Sequence, residues 1–382
     1  MESKREEGYI LSTIVSTLPK FDHVGSFLRP QRIKDARKQH AEGSITTDEL
    51  TKIENEEITN LVAKQKEVGL KTITDGEFRR GWWHFDYLAG LEGIEVVETE
   101  RGVPFHDVET SAFNIRINGK IKFNNHYMLE HFRFLKEVVG NEGHIAKMII
   151  PSPNMIFFRE GIGSDFEKQF YSSLEEIYVD LIQAYKDAVI AFYNEGCRYL
   201  QLDDTAWALF FDESSRNLVR AFGSDPDELI HQFKHAVNEV TSVKPDDMVM
   251  TMHICRGNYK SSYASSGSYD GASEIIFGQL NLDGLFLEFD DSRSGGFEPL
   301  RHIKRSDLHV VLGLITTKTP SLEDADAIKA RINEAAQYVS LDQLHLSPQC
   351  GFASTEEGNL LTEEEQWAKV RHVIDIANSA WK

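Results

Sequence analysis

The run Met248-Val-Met-Thr-Met-His-Ile-Cys255 decides how the sequence is interpreted. Its first part is apolar, as in a buried strand, whereas its end carries two side chains with metal-binding chemistry, His253 and Cys255. Residues two apart on a strand point to the same side, so these two side chains can coordinate one ion if the strand continues. Because barrel enzymes keep their active sites at the carboxyl ends of the strands, the run predicts a parallel strand that ends at a catalytic site.

Seven further short runs share this pattern, and eight strands alternating with helices predict an α/β fold, a closed (β/α)8 TIM barrel. Together with Met248–His253, the predicted strands are Asp22–Ser26, Lys71–Asp75, Ala146–Pro151, Tyr199–Asp203, Gly284–Glu288, Val310–Ile315 and Gln343–Ser347. The predicted helices include Thr47–Gly69 with Thr46 or Thr47 as its cap, Ser173–Gly196 and Ser321–Tyr338. A length of 382 residues suits one such barrel with insertions, so we expect a single domain over 1–382.

Two segments depart from the alternation of strands and helices. Residues 1–20 precede the first predicted strand, and we expect them to form an N-terminal extension. Residues 92–123 predict a β-hairpin insertion after the second strand, with Asn118-Gly119 as its turn. Because the insertion follows the carboxyl end of a strand, it lies on the catalytic side, where it either shapes a substrate entrance or is a surface elaboration without contact to the chemistry.

Composition excludes several classes of function. The chain has 61 acidic against 41 basic residues, and its net charge of -20 would repel a phosphate backbone or an anionic membrane. It contains no apolar run of the roughly 18 residues that a membrane span needs and no secretory signal, so we expect a soluble, cytoplasmic protein that acts on small molecules. The three cysteines predict free thiols or metal ligands rather than disulfides, and Cys197, which precedes a strand, is expected to be structural.

Two more predicted strands end in candidate metal ligands. Leu285-Phe-Leu-Glu288 places a carboxylate after three apolar residues, and Cys350 follows the last strand. With His253 and Cys255 they offer two thiols, an imidazole and a carboxylate, a donor set that zinc accepts and that magnesium and calcium do not. Spacing alone leaves the alternative open, because a lone buried cysteine is usually a small core residue.

The same segments resemble the metal-binding motifs of cobalamin-independent methionine synthases. The resemblance rests on His253-Ile-Cys255, on the Glu288 strand with Ser292-Arg-Ser294 and on Ser347-Pro-Gln-Cys350-Gly, and it extends to His23-Val-Gly25-Ser26, Asp75-Gly-Glu77-Phe and Gln201-Leu-Asp203-Asp. Asp75 to Phe85 and Val311 to Trp381 resemble in particular the single-barrel members of this superfamily. The resemblance implies that His253, Cys255, Glu288 and Cys350 hold a catalytic Zn2+, which binds and activates an incoming thiol.

The implied activity is an S-methyltransferase that makes methionine from homocysteine. The methyl donor would be 5-methyltetrahydrofolate or a related donor such as a methyl-corrinoid protein. By similarity, the backbone around Gly25 and Ser26 would receive the homocysteine carboxylate, while Glu77 and Asp203 would pair with its ammonium group. The structural alternatives are a salt bridge between Glu77 and a neighbouring arginine, and a helix-capping role for Asp203.

The parts of the site that would face the methyl donor are less well defined. Trp82 and Trp83 either stack on a flat pterin ring or pack in the core. After the seventh strand the large synthases carry a histidine that acts as the proton donor, whereas this sequence has Ile315-Thr-Thr-Lys318-Thr-Pro320. Lys318 or a bound water would then have to supply the proton.

Three other functions remain open on the sequence. A zinc-dependent thiol alkyltransferase of the epoxyalkane:coenzyme M transferase type would use the same metal, but its sulfonated thiol would prefer cations to Glu77 and Asp203. A decarboxylase on a related barrel would need no zinc. A non-enzymatic zinc-binding module would have a closed metal shell that admits no thiol.

Overall fold

Residues 18–381 are described by the structure, which is a computed structural model. Apart from its last three residues, the extension predicted over residues 1–20 therefore lies outside the described residues. The strands are β1 (Thr72–Ile73), β2 (Glu92–Glu98), β3 (Pro104–Phe105), β4 (Val108–Glu109), β5 (Phe113–Lys122), β6 (Ile145–Pro151), β7 (Tyr199–Asp204), β8 (Val249–Ile254), β9 (Gly284–Glu288), β10 (His309–Ile315) and β11 (Leu344–Pro348). One parallel sheet contains seven of them, in the order β1-β6-β7-β8-β9-β10-β11.

Helices alternate with the strands of this sheet. They are α1 (Gln31–Ala41), α2 (Thr47–Glu67), α3 (Phe85–Leu88), α4 (Met128–Val139), α5 (Leu174–Asn194), α6 (Glu213–Ala221), α7 (Pro226–Thr241), α8 (Ser273–Gln279), α9 (Ala325–Ala335) and α10 (Glu363–Ala380). Short 3-10 helices cover Pro153–Phe158, Glu167–Gln169, Ala206–Phe210, Tyr269–Gly271, Ser292–Ser294, Glu298–His302 and Leu341–Gln343. Within the described part of the chain, every helix is too short or too polar to cross a lipid bilayer.

The three predicted helices are present, and their first residues follow the capping side chains. Thr46 caps α2 in a capping box with Glu49, and Ser173 caps α5 by accepting a hydrogen bond from Glu176 N. The third helix is shorter than the predicted Ser321–Tyr338, because the Asp324 carboxylate accepts a hydrogen bond from Ala327 N and starts the helix there. The residues before Asp324 are therefore left outside α9.

Seven of the eight predicted strands are confirmed, but Asp22–Ser26 is not a regular strand. This segment meets β11 through a single bridge between Phe21 and Leu346, and on its other side Phe27 N donates to Gly76 O at 3.1 Å. Side chains replace part of the ladder, since Thr74 Oγ1 donates to Gly25 O at 2.6 Å. The parallel sheet is therefore curled, and its two edge strands both contact the segment at 21–27.

The predicted hairpin insertion is present, but its turn is elsewhere. β2 pairs with β5 in antiparallel register, and β3 and β4 form the tip around His106 and Asp107. Asn118-Gly119 lies inside β5, so the prediction of a turn there is wrong. The reason is a bulge at Gly93, whose φ of 81° and close approach to Lys120 O exclude a side chain and absorb the local irregularity within the strand pair.

A buried ion pair ties the segment at 21–27 to the sheet. The Asp22 carboxylate lies 3.4 Å from Lys147 Nζ and accepts hydrogen bonds from Tyr199 Oη at 2.9 Å and from the Thr72 hydroxyl. The Lys147 side chain is fully buried and its ammonium also donates to His23 O at 2.7 Å. A buried charge is tolerated only when it is paired. The buried Lys147 ammonium therefore requires the Asp22 carboxylate as its counter-charge.

We predict that Asp22→Ala destabilises the protein by about 3–5 kcal/mol, because it leaves the Lys147 ammonium buried without its counter-charge. Urea unfolding measures the change. The matched control is Asp326→Ala, which breaks a 3.4 Å pair with Lys329 at a position 93% exposed and should change stability by less than about 0.5 kcal/mol. Equal effects of the two substitutions would contradict this account of the Asp22 ion pair.

Candidate metal centre

The four side chains predicted to bind a metal lie together at the carboxyl ends of β8, β9 and β11. All four are buried, and one potential ligand atom of each of His253, Cys255, Glu288 and Cys350 lies within 4.8 Å of the others. The two sulfur atoms are 3.7 Å apart, and Cys255 Sγ is 3.3 Å from Glu288 Oε1. Two thiolates on one tetrahedral zinc, each at about 2.3 Å, would lie about 3.8 Å apart, so this spacing fits a shared ion.

The register of the sheet brings these side chains together. Ile254 is level with Leu287 in the β8–β9 pair, which places the next residues, Cys255 and Glu288, side by side. Gly313 on β10 is level with Glu288, and a side chain there would start 2.6 Å from Gln349 Cα. The absence of a Cβ at this position lets the loop that carries Cys350 lie against the ends of β9 and β10.

One ring nitrogen of His253 is hydrogen-bonded to the loop of Cys350, and the other is left without a hydrogen bond among the described residues. Its Nε2 lies 3.1 Å from Gln349 O, and because a carbonyl oxygen only accepts hydrogen bonds, Nε2 must carry the hydrogen. Nδ1 then has a lone pair, and it is buried without a hydrogen-bond partner among the described residues. A backbone carbonyl that fixes the tautomer in this way is the usual support of a metal-binding histidine.

The two thiols at the cluster differ from the third one in the chain. The hydrogen bond between them lowers the pKa of Cys350 and raises the pKa of Cys255, and Gly257 N donates to Cys255 Sγ at 3.2 Å. Cys197 is buried elsewhere, where burial raises its pKa to about 12. The prediction that Cys197 is structural agrees with this position.

A cavity of about 620 Å³ opens onto the cluster. His253, Cys255 and Cys350 border it directly. The other predicted site residues on its surface are Ser26, Glu77, Asp203, Trp82 and Trp83. The structure therefore brings most of the predicted substrate-binding residues to the same space as the candidate metal ligands, whereas Gly25 and Lys318 are not among the described residues that border it.

Glu77 is held in an unusual conformation at the wall of this cavity. Its φ is 60°, a left-handed conformation that costs a non-glycine residue about 1–3 kcal/mol and is concentrated at functional sites. Arg29 donates to its backbone oxygen at 2.8 Å. In the carboxylate, Oε1 is 3.6 Å from Arg80 Nη1, whereas buried Oε2 has no hydrogen-bond partner among the described residues. Burial and the nearby Asp203 charge raise the pKa of Glu77 to about 7, against the opposing charge of Arg80.

Asp203 faces the cavity rather than capping a helix. Its carboxylate accepts a hydrogen bond from Gln201 Nε2 at 2.7 Å and lies 3.7 Å from His253 Nδ1. The capping contacts belong to the next residue, because the Asp204 carboxylate accepts hydrogen bonds from the backbone of Ala206 at 2.6 Å. Of the two roles considered for Asp203, the helix-capping contacts are made by Asp204 instead.

The segment at Gly25 and Ser26 supports the loop after Cys350. Ser26 Oγ accepts a hydrogen bond from Ala353 N at 3.2 Å, and Ser26 O accepts one from Phe352 N at 3.0 Å. A Cβ on Gly351 would lie 2.0 Å from Ser26 Oγ, so only glycine fits between Cys350 and this segment.

The two predicted aromatic residues differ in their surroundings. The Trp82 ring stacks on Phe85 at a centroid distance of 4.9 Å and is nearly parallel to Tyr259 at 6.3 Å. Trp83 packs against His84 at 4.5 Å. Trp82 is thus largely engaged with protein rings although it reaches the cavity.

Lys318 lies near the two thiols of the cluster but is not among the described residues that border the cavity. Its ammonium is buried without a hydrogen-bond partner among the described residues. Burial raises the pKa of the neighbouring Asp290, and the charge of Lys318 opposes this shift. The role of Lys318 as a proton donor stays a prediction, and its position favours an effect through charge.

Sequence reasoning missed one contributor to the site. Asn258, three residues after Cys255, donates to Gly351 O at 2.9 Å and so links the loops that carry the two cysteines. An asparagine in a loop carries no specific sequence signal of function, which is why this contribution was not predicted. The hairpin contributes Val103, Phe105 and Phe113 to the cavity wall, in line with the first of the two predicted alternatives for the insertion.

The chain matches a family of known proteins over most of its length. The model described as the catalytic domain of cobalamin-independent synthase matches residues 21–103 and 165–379. The uncharacterized protein YxjH of Bacillus subtilis is 56% identical over 361 residues, 94% of each chain. The structure of a putative vitamin-B12 independent methionine synthase from Listeria monocytogenes is 46% identical, with a TM-score of 0.77 over 96% of this chain and 99% of that one. A B12-independent methionine synthase from Shewanella sp. W3-18-1, in complex with selenomethionine, shares the fold at 17% identity, with a TM-score of 0.68 over 94% and 97% of the two chains.

The fold and these matches define the class of the protein as a methyltransferase built on a curled parallel α/β sheet. The chain belongs to the family of cobalamin-independent methionine synthases. Residues 104–164 lie outside the family match. Residues of this stretch that border the cavity include Phe105, Phe113 and Arg159.

We predict that Cys350→Ala loses metal whereas Cys197→Ala keeps it, because only the first removes a sulfur from the cluster. Elemental analysis of the two variants and of the wild type, all purified without chelator, measures zinc per chain. Both substitutions remove a buried thiol, so the second controls for general destabilisation. Full zinc content in Cys350→Ala, or none in the wild type, would rule out this metal centre.

Proposed function

We propose that this protein transfers a methyl group from 5-methyltetrahydrofolate, or a related donor, to the sulfur of homocysteine and so makes methionine. The observation that carries the proposal is one cavity that reaches both the buried His-Cys-Glu-Cys cluster and the acidic side chains of Glu77 and Asp203. An amino-acid thiol needs a sulfur site and an ammonium site in the same space. Membership of the methionine synthase family supports the same substrate.

His253, Cys255, Glu288 and Cys350 would hold Zn2+. Their chemistry fits, because two thiols, an imidazole and a carboxylate are zinc donors and because His253 Nδ1 makes no hydrogen bond among the described residues. When bound, zinc would act as a Lewis acid that keeps a coordinated thiol deprotonated at neutral pH. Three of the four residues border the cavity, so a substrate sulfur can approach from that side.

The amino-acid end of homocysteine would bind between the segment at 21–27 and the ends of β1 and β7. Glu77 Oε2, which has no hydrogen-bond partner among the described residues, and the Asp203 carboxylate would accept hydrogen bonds from the ammonium group. Ser26 Oγ already accepts a hydrogen bond from Ala353 N, so its own hydroxyl hydrogen can turn to the carboxylate, next to the backbone of Gly25. These contacts would fix the sulfur at the cluster.

In the reaction, the sulfur lone pair forms the new bond to the methyl carbon while the bond between carbon and the donor nitrogen breaks. The electron pair of that bond goes to the nitrogen, which then takes up a proton. Lys318 lies off the cavity, so we infer that water in the cavity delivers this proton and that Lys318 contributes its charge. Trp82 and Trp83 would contact the donor at the side of the cavity.

We also infer that the described sheet is the wall of a closed (β/α)8 barrel formed by one domain. The segment at 21–27 would be its eighth strand, since it lies between β11 and β1 and contacts both. Closure would explain why Asp22 and Lys147 can meet in the interior, and it would place the candidate ligands at one mouth of the barrel.

Substrate preference tests the proposed acceptor. We predict that the zinc-loaded protein methylates homocysteine at least about a hundredfold faster than coenzyme M, because a sulfonate would face the carboxylates of Glu77 and Asp203. Mass spectrometry of the products, with 5-methyltetrahydrofolate as donor, measures both rates. A preference for coenzyme M would favour the thiol alkyltransferase instead.

The pKa of Glu77 gives a test of its role. Glu77 is largely neutral below about pH 7 in the free protein, and a neutral carboxyl attracts an ammonium group less, so homocysteine affinity should fall as the pH drops through 7. Calorimetric titration across this range measures the affinity. In Glu77→Gln the affinity should be about tenfold to a hundredfold lower, and this pH step should disappear.

The matched control for this prediction is Glu160→Gln, which removes a carboxylate from the outer part of the same cavity. It should leave both the affinity and the pH step unchanged. Persistence of the step in Glu77→Gln would assign the titration to another group and remove Glu77 from the ammonium site.

A further inference from the structure

The outer part of the cavity is walled by apolar side chains that are exposed to solvent. The hairpin contributes Val103 and Phe113 from one side, and Leu218 and Phe222 come from α6 and the residue after it. Each of these residues is between 39% and 46% exposed. Exposed large apolar residues are normally scattered singly, so four around one opening mark a binding surface.

The hairpin side of this opening is fixed in place by hydrogen bonds at two points. At the start of β5, Asn114 Nδ2 donates to Phe158 O at 2.9 Å and Glu160 N donates to Ile115 O at 2.7 Å. At its tip, His106 N donates to Tyr263 O at 2.8 Å, in the loop that follows the β8 ligands. The hairpin therefore spans the cavity from one loop to the other, and Val103 and Phe113 are parts of a built wall.

The buried charge beside this outer part is paired. The Arg159 guanidinium donates to Glu167 Oε1 at 2.9 Å and to Ile156 O at 3.2 Å. Its side chain is only 2% exposed. Two exposed charged residues, Arg101 and Glu160, also border the cavity. Apart from these two, the outer part offers mainly apolar contact, in contrast to the inner part with Glu77 and Asp203.

We propose that the space between the hairpin and α6 binds the flat ring body of the methyl donor, and that Val103, Phe113, Leu218 and Phe222 determine donor specificity. The inference rests on the proposed function, because it places the second substrate of that reaction. An uncharged heterocycle would cover the four exposed side chains, while its methyl carbon reaches the sulfur at the inner end of the cavity. Phe113 lies in the stretch outside the family match, whereas Val103, Leu218 and Phe222 lie within the matched residues.

The test compares two double variants with the same residue changes. The first, Val103→Ala with Leu218→Ala, removes apolar surface from both sides of the opening. The control, Val179→Ala with Leu360→Ala, makes the same changes at residues 67% and 73% exposed that do not border the cavity among the described residues. Calorimetric titration of zinc-loaded protein measures the affinity for homocysteine and then for 5-methyltetrahydrofolate.

We expect the first variant to bind 5-methyltetrahydrofolate about tenfold more weakly with unchanged homocysteine affinity. The control should bind both compounds within about twofold of the wild type. Equal donor affinity in the two variants, or a parallel loss of homocysteine binding in the first, would overturn the inference. Wild-type protein that binds homocysteine but not 5-methyltetrahydrofolate would also overturn it while leaving the thiol site intact. Failure to bind homocysteine would instead remove the proposed function and this inference with it.

Discussion

The close approach of two buried thiols constrains the structure around the candidate metal centre. Cys255 Sγ and Cys350 Sγ lie 3.7 Å apart and are not joined by a disulfide. Their approach requires two positions without a side chain. At Gly351 a Cβ would lie 2.0 Å from Ser26 Oγ, and at Gly313 it would lie 2.6 Å from the backbone of the loop. The loop after β11 can therefore pack against both β10 and the segment at 21–27 only with glycine at these positions. This close packing of backbones sets the geometry of the cluster.

The sheet could be predicted from the sequence because buried parallel strands leave continuous apolar runs, and Gly284–Glu288 has the predicted bounds. The irregular conformation of the first predicted strand, Asp22–Ser26, could not be predicted. This segment is held partly by side-chain contacts, such as the hydrogen bond from Thr74 Oγ1 to Gly25 O, and an apolar pattern does not record such contacts. The prediction of the hairpin turn at Asn118-Gly119 was wrong for a different reason. Asn-Gly suits a tight turn and a position opposite a bulge equally well, and only the long-range pairing of β2 with β5 decides between them.

The candidate site shows the same division. Ligand-type side chains at strand ends are visible in a sequence, so the cluster could be predicted as a group. Its supports are mostly backbone atoms, such as Gln349 O beside His253 and Gly257 N beside Cys255, and any residue type supplies a backbone atom. Lys318 was predicted as the proton donor because the corresponding part of the chain lacks the histidine of the large synthases. Its position away from the cavity wall depends on how β10 ends, which the sequence does not show.

The acidic inner part and the apolar outer part of the cavity are physically coupled. Glu77 is a strained, buried carboxylate with one unpartnered oxygen, so its attraction for a cation depends strongly on how much water surrounds it. A ligand that covers Phe113 and Leu218 would displace water from the opening and lower the dielectric constant around Glu77. The pairing between Glu77 and an ammonium group would then strengthen. In the proposed reaction, occupation of the outer part would therefore favour retention of an amino acid in the inner part, and such coupling would keep both substrates in place until the methyl group has moved.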